Sequence, residues 1–307
     1  MNNWPVASQN RDETMADVFD TTEDCSLAIQ CLKQRGYDTV GRYYARPGNE
    51  WKTIKLPEAV ALARAGMSIV AIYQDRQNQA ADFDLSKGRF AGTTAYNYAA
   101  GVIFQTAGSA IYFSVDYDAS ESEVRGNIIP FFEGVKESFD QAAGAHGPTF
   151  RIGVYGSGLV CRLLRDGGHV ELTFLSQSTG HREHALFLNS MNWNLSQKAE
   201  TTLCGVDGDP DDTNPTKPDT GSFLLDLSSI GHVPGPPPGP TDDRYTVIAS
   251  GGLRLRAGPG TEFDVQSVLS FGTVVTLLGR EGNWALVDAT GDGSASGFAY
   301  SSYLKKA

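Results

Sequence analysis

The chain has 307 residues, 40% of them hydrophobic and 20% charged, with a formal net charge of -11. That balance excludes a disordered chain and leaves room for one large and one small domain. From Arg244 onward six basic residues stand against five acidic ones, so the acidity belongs to the first 243 residues and excludes a general nucleic-acid groove there. No apolar run is long enough to span a bilayer, and Met1 to Pro5 lacks the basic and apolar regions of a signal peptide, so neither membrane insertion nor a signal peptide is expected.

Residues 1–15 are polar and read as a frayed N-terminal segment. Ala16 to Asp20 predicts a first strand ending in an acid. Thr21 or Thr22 caps the helix that follows, which carries Leu27, Ile29, Cys31 and Leu32 and stops at Gly36. Thr39 to Tyr44 is a second strand. After a Pro47-Gly48 loop, Leu56-Pro57-Glu58 opens a helix with proline in its first turn, and Gly66 ends it. The pattern repeats with a strand at Ser68 to Tyr73, a small-residue helix at Thr93 to Phe104, and a strand at Ala110 to Asp116. Ile128 to Ala143 is a helix with Phe131, Phe132, Val135 and Phe139 at helical spacing. A strand at Arg151 to Tyr155 and a helix at Ser157 to Arg165 follow. Leu172 to Leu175 and Ala185 to Leu188 are two more short apolar runs, counted among the strands. Roughly eight strand candidates alternating with helices over residues 16–231 fit an α/β fold, a (β/α)8 TIM-like barrel.

Prolines hold residues 232–243 extended as a linker. Residues 244–307 break into about six short strands, which predicts a small all-β barrel. The four cysteines, Cys25, Cys31, Cys161 and Cys204, match no zinc spacing and read as buried free thiols.

Strand alternation sorts the run from Ala110 to Asp118 into two faces. Ile111, Phe113, Val115 and Tyr117 share a face suited to packing under helices. Tyr112, Ser114, Asp116 and Asp118 share the other, which carries two acids to the C-terminal end of the strand, where α/β sheets place their chemistry. Paired carboxylates at such a point suit glycoside hydrolysis. Asp20 ends the first strand, and the ends of strands one and four can face each other across a barrel mouth. Arg42, Tyr43, Tyr73 and Tyr155 end other strands, where aromatic rings stack on sugar faces. Trp193, flanked by Asn192 and Asn194, is a further sugar platform, and Gln74 and Gln177 also follow strands. The acidic run from Asp207 to Asp212 lacks the distant Glu of an EF-hand. His181 and His184 have no third ligand in view, and the glycines from Gly153 to Gly158 lack the dinucleotide spacing. No metal and no cofactor are called for.

Leu253 to Gly260, Gly272 to Val275, Gly282 to Val287, Gly297 to Tyr300 and Tyr303-Leu304 make the tail resemble the bacterial SH3-like domain. That resemblance implies attachment to a cell-wall polymer, often peptidoglycan. Val18-Phe19-Asp20, Gly41 to Tyr44, Leu56 to Tyr73, Ile111 to Asp118 and Ile152 to Gly156 make residues 16–228 resemble the glycoside-hydrolase-like TIM-barrel family related to family-25 lysozymes. The resemblance implies a catalytic set of Asp20, Asp116 and Asp118, with Asp118 as general acid where the lysozymes carry a Glu, and Asp207 lining the groove from the last βα loop.

The expectation is a peptidoglycan glycan-strand hydrolase of the muramidase type, held at the wall by its SH3-like domain. It would act at the wall or in the periplasm after delivery as a phage-type lysin or an interbacterial effector. The effector route implies a neutralising immunity protein. Two alternatives stay open: a non-catalytic peptidoglycan-binding protein with an inactive barrel, suggested by Asp in place of Glu, and a wall amidase or peptidase.

Overall fold

The computed structural model describes residues 17–46, 51–144, 147–228, 244–256, 259–261, 263, 265–289 and 296–307. The N-terminal segment 1–15, the Pro47-Gly48 loop, His146 and the linker 232–243 lie outside the described residues. Seven parallel strands run in chain order: β1 (Val18–Asp20), β2 (Thr39–Tyr44), β3 (Ser68–Tyr73), β4 (Ala110–Ser114), β5 (Arg151–Gly156), β6 (Leu172–Leu175) and β7 (Leu195–Gln197). The short β8 (Thr201–Leu203) then turns tightly into β9 (Val206–Thr213). β9 lies antiparallel to both β7 and β1 and closes an eight-stranded, TIM-like barrel. The last unit is therefore a hairpin, where the sequence pattern expects another βα unit.

Helices cover the outside: α1 (Ile29–Gln34), α2 (Leu56–Arg64), α3 (Leu85–Tyr98), α4 (Glu121–Glu123), α5 (Ile129–Ala143), α6 (Gly158–Asp166) and α7 (His184–Asn189). Ala185 to Leu188, read from sequence as a strand, belongs to α7, which buries Phe187 and leaves Leu186 in solvent. One-sided burial is what a surface helix needs. α3 starts eight residues before the sequence reading, at Leu85, because the Asp84 carboxylate accepts from the Lys87 backbone N–H at 2.8 Å and caps it. α3 and α5 touch backbone to backbone. A Cβ at Gly88 would lie 1.9 Å from the Phe131 carbonyl oxygen, and one at Gly134 would lie 2.3 Å from that of Leu85.

Alternation divides each strand between two cores. Ile111, Phe113 and Val115 pack under the helices, whereas Val18, Val70, Ile72, Tyr112 and Phe174 fill the barrel. Residues 214–228 cross the N-terminal ends of the strands. Phe223 exchanges backbone hydrogen bonds with Ile69, and the Tyr112 hydroxyl donates down to the Thr220 carbonyl at 2.9 Å. The barrel is thus closed below and open at the C-terminal ends of its strands. Among the described residues no helix is long and apolar enough to cross a membrane.

The tail forms its own antiparallel sheet from β10 (Arg244–Val247), β11 (Leu253–Arg256), β12 (Val265–Leu269), β13 (Val274–Glu281), β14 (Trp284–Asp288), β15 (Gly297–Tyr300) and β16 (Leu304–Lys306). The order is β12-β11-β15-β14-β13-β10-β16, around Val247, Leu255, Val275, Ala285, Val287 and Ala299.

The cysteines correct the sequence reading. Cys25 and Cys161 are free and buried, but Cys31 and Cys204 form a disulfide across 173 residues. Their distance in sequence hid the pairing. The topology brings α1 beside the turn of the β8–β9 hairpin, where Cys204 and Gly205 both have positive φ, +56° and +81°. The bridge pins the closing hairpin to the helical layer. Reduction, or Cys204→Ser, is expected to lower unfolding stability by about 2–4 kcal/mol, read from denaturant melts, with hydrogen exchange rising first in β8 and β9.

Candidate active site

Strand alternation sends Asp20, Tyr43, Ile72, Ser114, Tyr155 and Gln197 inward at the open end of the barrel. There a cavity of about 260 Å³ is lined by Tyr43, Ser114, Asp116, Tyr155, Gln197 and Asp209, with Gln74 and Gln177 on its rim. The lining is almost wholly polar. β4 and β9 lie on opposite sides of the barrel, so Asp116 and Asp209 face the cavity from opposite walls.

β1 and β9 pair Asp20 with Asp209 and Val18 with Asp211. This register puts three carboxyl groups on one inward face. Tyr43 donates its hydroxyl to one Asp20 oxygen at 2.8 Å, and Gln197 donates its amide to the other at 2.9 Å. Gln197 also donates to Asp209 at 3.2 Å, and Gln177 reaches the other Asp209 oxygen at 3.4 Å. The Tyr155 hydroxyl donates to the Gln197 carbonyl at 2.7 Å, which leaves the Gln197 amide nitrogen to face the acids.

Burial dominates the ionisation of this cluster. It raises Asp20 to about 6, against the hydrogen bonds from Tyr43 and Gln197, which lower it. Burial, followed by the charge of Asp20, raises Asp209 to about 7. Asp211 is fully buried, neither of its oxygens receives a hydrogen bond from a described residue, and burial with Asp20 beside it pushes it well above the carboxylate range. A carboxyl in that setting keeps its proton and offers it to Asp20.

Of the residues singled out from sequence, Tyr43, Gln74, Asp116, Tyr155 and Gln177 line this cavity, and Asp20 is buried behind its wall, bound to Tyr43 and Gln197. Asp118 does not line it. The strand has ended, and the Asp118 carboxylate accepts from the Arg182 backbone N–H at 2.7 Å and from its guanidinium. Arg42 shares the outward face of β2 with Val40 and Tyr44. It is 1% exposed and bound to Glu58 of α2 through two hydrogen bonds of 2.7 and 3.0 Å. Tyr73 is outward for the same reason and packs on Phe113. Trp193 is 5% exposed and donates its indole N–H to the Leu188 carbonyl at 2.9 Å, so it is a core residue and no sugar platform. Asp207 lies out on the hairpin, exposed and held by the Thr202 hydroxyl. Sequence reasoning missed Gln197, Asp209 and Asp211. The period-2 spacing of Asp207, Asp209 and Asp211 was the available signal, masked by a composition that reads as a loop.

The family is decided by a match over residues 30–214 to the Rv2525c-like, glycoside hydrolase-like domain. The chain belongs to that family. Residues 251–305 of this glycoside hydrolase-like protein match the bacterial SH3 domain. Among curated proteins it is 32% identical over 185 residues to FadG and 31% identical over 201 residues to YbfG, both uncharacterized proteins of Bacillus subtilis (strain 168). These stretches cover 59% and 61% of the chain but 31% and 27% of the relatives, so the chain matches less than a third of their length. Two crystal structures of the Mycobacterium tuberculosis Tat-secreted protein Rv2525c, in complex with HEPES and with L-tartrate, share its fold. They match with a TM-score of 0.52 at 22% and 21% identity, covering 67% of this chain and 97% of that one.

The acid cluster makes stability depend on pH. Unfolded aspartates lose their protons near pH 4, whereas Asp20 and Asp209 hold theirs to about 6 and 7. The folded state therefore binds more protons across that window, and its stability falls as pH rises from about 4 to about 7. Asp211→Asn removes the least ionisable member. The variant is expected to match the wild type in stability near pH 4 and to exceed it at pH 8, in denaturant melts.

Proposed function

We propose that the glycoside hydrolase-like barrel cleaves the glycan strand of peptidoglycan and that the bacterial SH3 domain holds it against the wall. The observation that carries this reading is Asp209, a carboxyl raised to about 7 on the wall of a polar cavity, with Asp116 on the opposite wall. A glycosidic bond needs an acid on one side and a carboxylate on the other. Asp209, protonated near neutral pH, gives its proton to the leaving oxygen as the C–O bond breaks. Asp116 stabilises the oxocarbenium-like transition state and takes the proton of the water that adds at the anomeric carbon. Burial, followed by the charge of Asp20, keeps Asp209 protonated. Tyr43 and Tyr155 line the cavity in which the sugar would lie. The acid role expected of Asp118 passes to Asp209, because Asp118 is held by Arg182 outside the cavity.

Tethering by the tail raises local concentration and adds no chemistry. The Cys31–Cys204 bridge suits an oxidising compartment, which supports action at the wall or in the periplasm. Delivery as a phage-type lysin or as an interbacterial effector, with an immunity protein in the latter case, is part of this proposal.

Incubation of the full chain with purified sacculi is expected to release reducing ends, at a rate that falls as pH rises past about 7. Asp209→Asn and Asp116→Asn are each expected to cost at least about 100-fold, with sacculus pelleting unchanged, whereas Asp118→Asn keeps most activity. Unchanged sacculi would leave a non-catalytic wall binder, and free amino groups without reducing ends would point to an amidase.

A further inference from the structure

Lys52 has no part in the scheme above, yet it is bound to two residues that line the cavity, Gln74 and Tyr43. It lies in the β2–α2 connection and is only 6% exposed. Its ammonium donates to Gln74 Oε1 at 2.6 Å and stands 4.7 Å from the centre of the Tyr43 ring and 6.0 Å from that of Trp51. Gln74 in turn donates from Nε2 to Asp116 Oδ2 at 3.1 Å.

A carboxamide has one accepting and one donating end. Lys52 can only donate while protonated, so it selects the Gln74 orientation that offers Oε1. The donating end then has to face Asp116. With the amide turned round, two donors would meet at Lys52 and two acceptors at Asp116, and both contacts would be lost. The lysine fixes the amide, and the amide fixes the carboxylate.

We infer that Lys52 is a positioning residue that acts through Gln74 to hold the Asp116 carboxylate turned into the cavity, a role that rests on the glycosidase reading of that cavity. Burial brings Lys52 down to about 8, against three carboxylates, those of Asp116, Asp75 and Asp20, which favour the ammonium. The Tyr43 hydroxyl faces Asp20, and the Arg42 guanidinium, which donates to the Lys52 carbonyl at 3.3 Å, is neutralised by Glu58. Above pH 8 a neutral amine accepts as readily as it donates, and the amide is no longer pinned.

Two readouts test the role. On sacculi, Lys52→Met is expected to lower kcat about tenfold with KM within about threefold, and Lys52→Arg, which restores a cationic donor, is expected to recover kcat. The decline of log kcat above pH 8 is expected to be steeper in the wild type than in Lys52→Met. A Lys52→Met protein with wild-type kcat and pH profile would overturn the role. The second readout needs no turnover. In the full chain, NMR of the Lys52 side chain is expected to show a midpoint near 8 that falls in Asp116→Asn, because a favourable charge is gone. A midpoint that stays put would overturn the coupling even if Lys52→Met fails to fold. Wild-type protein that releases no reducing ends while the Lys52 midpoint does respond would sink the glycosidase reading and leave the Lys52–Gln74–Asp116 chain standing.

Discussion

Asp20, Asp209 and Asp211 crowd one corner of the barrel so closely that they cannot all carry charge. The corner settles this unevenly. Asp20 accepts from Tyr43 and Gln197 and is the member best prepared for a negative charge. Asp211, beneath it, has no donor among the described residues and stays neutral. Asp209 stands at the edge of the cavity between buried acid and solvent. The same crowding costs stability as pH rises and leaves a proton at the cavity wall, where a glycosidic oxygen could take it.

Several features of the fold serve that corner. β9 runs against the direction of the other strands, and only an antiparallel closure lays Asp209 opposite Asp20 and Asp211 opposite Val18. Gly41 on β2 makes room, since a Cβ there would lie 2.4 Å from that of Asp20. The Cys31–Cys204 bridge holds the turn that feeds β9. Behind β2, the buried Arg42–Glu58 pair ties the strand to α2, and Arg42 also donates to the Thr21 carbonyl just beyond Asp20. Such a pair adds little net stability but is costly to break, so it fixes geometry more than it strengthens the fold.

Much of this was legible in the sequence, and the rest was hidden for physical reasons. Alternation through Ala110 to Asp118 correctly sends Phe113 to the helices and Ser114 and Asp116 to the cavity. The same rule applied to β2 and β3 separates Arg42 from Tyr43 and Tyr73 from Gln74, and reading all strand ends as mouth residues blurred that distinction. Asp118 shows where alternation stops: two residues past the cavity wall, the chain has turned to meet Arg182. β9 was illegible as a strand because Asp, Gly and Pro disfavour strands, and tertiary pairing on both edges overrides that preference. Asp209 and Asp211 were lost with it. The disulfide was hidden because its halves lie 173 residues apart and only the closed barrel brings them together.

The unequal sharing of protons among the three acids is tested most directly by following the side-chain carboxyl carbons of Asp20 and Asp209 through a pH titration by NMR. Midpoints of about 6 and about 7 are expected, with the Asp209 midpoint falling in Asp20→Asn as a neighbouring charge is removed. Midpoints for both near the ordinary value of about 4 would contradict unequal sharing and remove the proton donor on which the proposed chemistry depends.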